Sequence, residues 1–145
     1  MRCMGLDYGD KTIGIAISDA LGWTAQPKAV IRRKNLTDDF AILKEYIDKY
    51  DVQEVVVGLP INMDGSEGIR VRRTEEFVNF LRKRLDIPVK VWDERLTTRQ
   101  AENILLEADL SRSRRKEVID QIAASIILQN YLDAKYYKGD ELNGK

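Results

Sequence analysis

The sequence predicts an α/β fold: a mixed five-stranded sheet, built as an antiparallel meander followed by parallel crossovers, with helices flanking it. Three observations predict it. The chain opens as two strand-like alternations around a tight turn, its middle alternates helical and strand periods, and one run of three valines has the composition of a strand covered on both faces.

Taken in order, Cys3 to Tyr8 read as a strand, and Thr12 to Ser18 set Ile13, Ile15 and Ile17 against Gly14 and Ala16. Gly9-Asp10-Lys11 between them reads as a hairpin turn. A third strand is expected around Lys28 to Arg32, and Pro27, which cannot donate to a ladder, argues for a sheet edge or a strand start. Phe40, Leu43, Ile47 and Tyr50 then share one face of a helix that Thr37 or Asp38 could cap. Val55-Val56-Val57 is the doubly covered strand, ending at Gly58-Leu59-Pro60. A second helix, with Thr74, Phe77, Val78, Leu81 and Leu85 inward, leads through Pro88 to a strand over Val89-Lys90-Val91-Trp92, and this alternation implies parallel crossovers.

After Asp93-Glu94-Arg95, Thr97 with Gln100 matches a capping box for a helix whose buried stripe is Ala101, Ile104, Leu105 and Ala108. Ser113 can cap a last helix with Ile119, Ile122, Ala123, Ile126 and Ile127 on its apolar face, which Lys138-Gly139 should end. The expected organisation is a single domain over 1–138 and a disordered tail over 139–145.

Composition narrows the chemistry. No segment has the pattern of a leader or a membrane span, so a soluble cytoplasmic protein is expected. Cys3 is the only cysteine and there is no histidine, which removes intrachain disulfides, the usual zinc sites and every Ser-His or Cys-His mechanism. Carboxylates with a metal remain the best catalysts. The 24 Lys and Arg balance 24 Asp and Glu, so any nucleic-acid footprint must be local. Arg32-Arg33-Lys34, Arg70 with Arg72-Arg73, and Arg112 with Arg114-Arg115-Lys116 are local basic clusters, though each alone reads equally well as solvated surface charge.

Three acids stand out. On the first strand Cys3, Gly5 and Asp7 share one face and Met4, Leu6 and Tyr8 the other, which sets Asp7 on a sheet face beside a position with no side chain. A carboxylate there needs a partner, and Gly5 leaves room for a ligand or a close helix; the alternative is an Asp that only accepts hydrogen bonds from the turn at Gly9 to Thr12. Asp93 and Glu94 end a strand parallel to the first, at the edge where open α/β sheets hold ligands. Alternation leaves open which of them faces the site; we choose Glu94. Asp120 lies beside Ala123 and Ala124 on the last helix, whose small residues permit close approach, although for a helix alone an ordinary boundary residue is the simpler reading. Clustered, the three would repel unless neutralised by cations, and oxygen ligands suit Mg²⁺ or Mn²⁺. The Gly58 to Gly68 loop can present backbone amides and Asn62 at the same edge, yet it lacks the Lys-Ser/Thr of a P-loop.

With these pieces placed, the chain resembles the YqgF/RuvX family of Holliday junction resolvases and pre-16S ribosomal RNA nucleases. The resemblance covers nearly the whole chain and rests on Leu6-Asp7-Tyr8-Gly9-Asp10-Lys11-Thr12-Ile13-Gly14-Ile15-Ala16, on Gly58-Leu59-Pro60 through Gly65-Ser66-Glu67-Gly68, on Trp92-Asp93-Glu94-Arg95-Leu96-Thr97-Thr98, and on Asp120 with Ala123-Ala124 and Ile127-Leu128-Gln129. It implies an RNase H-like fold and metal-dependent phosphodiester hydrolysis with Asp7, Glu94 and Asp120 as both catalytic and metal-holding residues. Lys11, Asn62, Arg72, Arg73 and Arg95 would contact substrate. Thr12 departs from the pattern, since many members carry Arg there. The implied partner is nucleic acid, an rRNA precursor first and branched DNA second, bound by a monomer or homodimer. Two rivals stand beside it: a sugar-kinase or actin-like ATPase, which Asp7-x-Gly9 also resembles but which closes two such domains around ATP, and a non-catalytic RNA-binding assembly factor.

Overall fold

The computed structural model describes residues 1–61, 64–65, 67–94 and 111–142. In chain order these form β1 (Arg2–Tyr8), β2 (Thr12–Ser18), β3 (Ala25–Arg32), α1 (Leu36–Lys49), β4 (Val52–Leu59), α2 (Ile69–Arg84), β5 (Val89–Asp93) and α3 (Arg112–Leu142). The helix expected after Thr97, with Ala101, Ile104, Leu105 and Ala108, lies outside the described residues.

The strands make one five-stranded sheet in the order β3-β2-β1-β4-β5. β2 is antiparallel to β1 and to β3, whereas β4 is parallel to β1 and to β5. The expected mixed architecture is therefore present, and its logic is local: short turns close the antiparallel pairs, while the parallel pairs need α1 and α2 as crossovers.

Strand alternation divides the core between two faces. Met4, Leu6 and Tyr8 join Ile13, Ile15, Ile17, Val55 and Val57 beneath Leu43 and Ile47 of α1 and Phe77, Val78 and Leu81 of α2. On the other face Cys3, Ala16 and Val56 meet Ala124, Ile127, Leu128, Tyr131 and Leu132 of α3. The valine run is thus covered on both sides, as its composition predicts. The room left by Gly5 goes to a helix: a Cβ there would lie 2.7 Å from Leu128 Cβ and 2.9 Å from the Ala124 carbonyl oxygen. Farther along α3, the Gln129 side-chain amide behaves as an added peptide unit, with Oε1 accepting from Ala25 N at 2.9 Å and Nε2 donating to Trp23 O at 2.9 Å.

Several boundaries differ from expectation for identifiable reasons. β3 begins at Ala25 and runs through Pro27, which an edge strand tolerates; the ladder is irregular opposite it, pairing Ala16 with Pro27 and Ile15 with Ala29 and skipping Lys28. The cap of α1 is Asn35, neither Thr37 nor Asp38: Asp38 N donates to Asn35 Oδ1 at 2.9 Å, and Asn35 Nδ2 donates back to Asp38 Oδ2 at 2.9 Å. At α3 the cap falls on Ser111, whose Oγ accepts from Arg114 N at 3.4 Å, so Ser113 lies inside the first turn. α3 also continues to Leu142, past Lys138-Gly139. No helix among the described residues is long and apolar enough to cross a membrane.

Candidate active site

Because β1, β4 and β5 run parallel, their C-terminal ends share one edge of the sheet, and Asp7, Gly58 and Glu94 come to that edge together. Asp7 pairs across the ladder with Gly14. A Cβ at Gly14 would lie 3.3 Å from the Asp120 carbonyl oxygen, 3.5 Å from Ala124 Cβ and 3.6 Å from Asp7 Cβ, so the missing side chain lets α3 come down beside Asp7. The Gly9 amide is taken by Thr12 O at 2.9 Å, and no hydrogen bond to the Asp7 carboxylate is made among the described residues. Asp7 is therefore not an acceptor for its own turn. Burial pushes its pKa up, the Arg70 guanidinium pulls the other way, and Asp120 adds to the rise.

Glu94 follows β5, with its backbone N–H donating to Leu59 O at 3.2 Å. Its side chain turns inward over Gly58, where any Cβ would collide with Oε2 and with Ile127. Among the described residues that Oε2 is buried without a hydrogen-bond partner. Burial first, then repulsion from Asp7 and Asp93, raise the Glu94 pKa to about 7 against the opposing charge of Arg70. Asp93 is exposed. At this strand end the charge of Asp7 acts on Glu94.

Asp120 sits on α3 at the rim, exposed, close enough to act on Asp7 through its charge. Among the described residues no three carboxylate, cysteine or histidine side chains are gathered closely enough to hold a metal ion. Asp7 and Glu94 form the inner pair and Asp120 stands outside it. Lys11 and Arg72 are exposed, and Arg73 Nη1 lies 3.7 Å from Asp10 Oδ1, which brings the first turn of α2 against the β1–β2 turn. Asn62 and Arg95 lie outside the described residues.

Two arginines matter more here than the sequence suggests. Arg70, in the first turn of α2, is the cation whose charge acts on both Asp7 and Glu94. Its position directly after a Gly-rich loop at the ligand edge is the signal that could have singled it out from its cluster. Arg33, at the end of β3, holds the turn that follows Asp7: its backbone N–H donates to Lys11 O at 2.9 Å, and Nη1 donates to Gly9 O at 2.7 Å and Asp10 O at 3.0 Å. The Arg33 guanidinium carbon also lies 4.2 Å from the centre of the Tyr8 ring, which stacks on Phe77 at 4.0 Å.

Residues 1–134 match the family model described as RuvX, Holliday junction resolvase. The chain belongs to the RuvX family. Two RuvX relatives bear the name "Putative pre-16S rRNA nuclease". The protein of Halothermothrix orenii is 61% identical over 133 residues, covering 92% of this chain and 95% of its own. That of Moorella thermoacetica is 57% identical over 133 residues with the same 92% and 95% coverage. Among solved structures, T. thermophilus RuvC in complex with a Holliday junction substrate aligns with a TM-score of 0.54 at 16% identity, covering 94% of this chain and 96% of that one. The fowlpox virus Holliday junction resolvase aligns with a TM-score of 0.52 at 15% identity, covering 92% and 99%. At these identities the likeness to RuvC is one of fold, the RNase H-like α/β sheet.

Proposed function

We propose that this chain is a cytoplasmic metal-dependent nuclease that hydrolyses phosphodiester bonds, with Asp7, Glu94 and Asp120 holding Mg²⁺ or Mn²⁺, and that it processes the 5′ end of pre-16S rRNA. The observation that carries the reading is the Oε2 of Glu94, buried and without a hydrogen-bond partner among the described residues, beside the half-buried carboxylate of Asp7 at the ligand edge of the sheet. Two such groups destabilise each other in a metal-free protein, and the donor set fits a hard divalent cation. Bound there, Mg²⁺ or Mn²⁺ would supply a nucleophilic water at neutral pH and stabilise charge on the leaving 3′ oxygen. Asp7 and Glu94 would hold the cation from the strand ends, and Asp120, which stands outside that pair, would have to turn in from α3 to complete the set. Arg70, Lys11, Arg72 and Arg73, with Asn62 and Arg95, would draw the phosphate backbone to this edge. The relatives' names favour ribosomal RNA; the family description, a Holliday junction resolvase, supports branched DNA as the second reading.

The decisive variant is Asp7→Asn, melted in chelator and again in excess Mn²⁺, beside a cleavage assay on pre-16S transcripts and on a DNA four-way junction. Removing one of two repelling carboxylates should leave the chelated protein as stable as wild type or more so. The stabilisation that wild type gains from Mn²⁺, about 2.7 kcal/mol at a hundredfold excess over Kd, should disappear together with cleavage. A variant that is destabilised, keeps its Mn²⁺ response and still cuts would refute the site. Loss of cleavage on the junction alone would move the substrate to DNA, and a wild type that binds RNA without cutting it in Mg²⁺ or Mn²⁺ would leave an assembly factor.

A further inference from the structure

Asp7 stands one residue before the end of β1. It is half-buried, its Cβ facing the gap at Gly14 through which α3 approaches, and the β1–β2 ladder ends one residue later at Tyr8. A metal-binding group at such a strand end needs surroundings that over-determine it. The residues that follow Asp7 show such over-determination, and it comes from one residue two strands away, through its side chain and its backbone N–H. Three consecutive carbonyls, of Gly9, Asp10 and Lys11, all accept hydrogen bonds from Arg33. The ring of Tyr8 is clasped between the Arg33 guanidinium and Phe77. Three successive residues after Asp7, namely Tyr8, Gly9 and Asp10, are thereby fixed by a planar, permanently charged group, a geometry that the flexible ammonium of lysine does not reproduce, while Lys11 is held by the Arg33 backbone N–H.

We propose that Arg33 is a positioning residue for Asp7, holding the β1 end and its turn so that the carboxylate stays at the metal-binding edge. The inference rests on the nuclease reading above. Arg33 acts through the backbone and the Tyr8 ring; the cation whose field bears on Asp7 is Arg70. Its role is therefore separable from charge. Supporting groups behind metal ligands typically contribute about 10- to 100-fold in metal affinity or activity.

The test compares wild type, Arg33→Gln, Arg33→Lys and Asp7→Asn, titrating Mn²⁺ alone against melting temperature and measuring kcat and KM on the nucleic acid that wild type cuts. Arg33→Gln should shift the Mn²⁺ midpoint upward and lower kcat, each by about 10- to 100-fold, with KM within about threefold. Arg33→Lys, which preserves charge and is the milder variant should glutamine prevent folding, should recover only part of the Mn²⁺ affinity. A wild-type Mn²⁺ midpoint and kcat in Arg33→Lys or Arg33→Gln, with Asp7→Asn inert, would overturn the positioning role and leave the active site standing. A rise in KM alone, full in glutamine and absent in lysine, would overturn it in favour of a phosphate contact. A Mn²⁺ response that survives in Asp7→Asn would overturn both readings at once.

Discussion

Glu54 and Glu94 are both glutamates on the face of the sheet that α3 covers, at opposite edges of it, and they are treated in opposite ways. Glu54, near the start of β4, is 4% exposed, yet its Oε1 accepts from Tyr131 Oη at 2.7 Å and Lys135 Nζ at 3.2 Å, with Lys90 Nζ 3.8 Å from Oε2. Burial pushes its pKa up, but the hydrogen bonds from Tyr131 and Lys135 and the charges of Lys135 and Lys90 outweigh it, so the net shift is downward. Glu94 has an oxygen with no partner among the described residues, a repelling neighbour and a pKa pushed up to about 7. One carboxylate is bound into the fold by its partners and the other, among the described residues, is not. Partner satisfaction, more than burial, separates an acid that builds structure from one available for chemistry.

The comparison breaks most visibly at Glu54. Glu54→Ala strips the buried Tyr131 hydroxyl of its acceptor and opens a cavity, and it should cost about 2–4 kcal/mol in denaturant unfolding while leaving the Mn²⁺ response unchanged. Loss of the metal response at equal stability would merge the two regions into one.

The next effect is one of sign in pH. Glu94 titrates higher folded than unfolded, so native protein holds a proton that unfolded chain releases; stability should fall as pH rises from about 4.5 to about 7, by on the order of 3 kcal/mol, and level off above. Glu54, lowered in the fold, acts the other way: its contribution is present above its unfolded pKa and is lost as pH falls through the folded value. Unfolding across this range in chelator should show Glu94→Gln removing the neutral-side decline and gaining about 1–2 kcal/mol at pH 8. A wild-type slope in that variant would mean Glu94 is not the strained member.

The smallest effect sharpens the Glu54 side. Lys90 is 53% exposed and 3.8 Å from Oε2, so Lys90→Ala should change stability by less than about 0.5 kcal/mol. A loss above 1 kcal/mol by the same melt would show the cluster to depend on charge more than on the Tyr131 hydrogen bond.

These two glutamates also mark what the sequence tells. Strand alternation places Asp7 and Gly5 on one face and Met4, Leu6 and Tyr8 on the other, and the structure agrees residue by residue. The sheet topology follows from the change of period along the chain. Alternation fails at a strand end, where the β4–β5 pairing stops at Asp93 and Glu94 lies just past it. Caps fail by a residue or two because Asn35, Thr37 and Asp38 are all competent, and only the backbone bend chooses. Glu54 is silent in sequence, since its partners Tyr131 and Lys135 lie 77 and 81 residues away. Arg33 is silent for the same reason: a run of basic residues looks like surface until the fold carries one of them over the Asp7 turn.

Gln129, whose amide bridges Trp23 O and Ala25 N, gives the long helix a fixed angular index. α3 cannot roll about its axis without surrendering both bonds, and its bearing is transmitted rigidly to every residue along the shaft. One residue inserted between Asp120 and Gln129 would swing Asp120 by about 100° around that axis while the sheet below stayed the same. The spacing between those two residues is therefore a phase setting, and along this stretch the chain should accept changes of letter far more readily than changes of length.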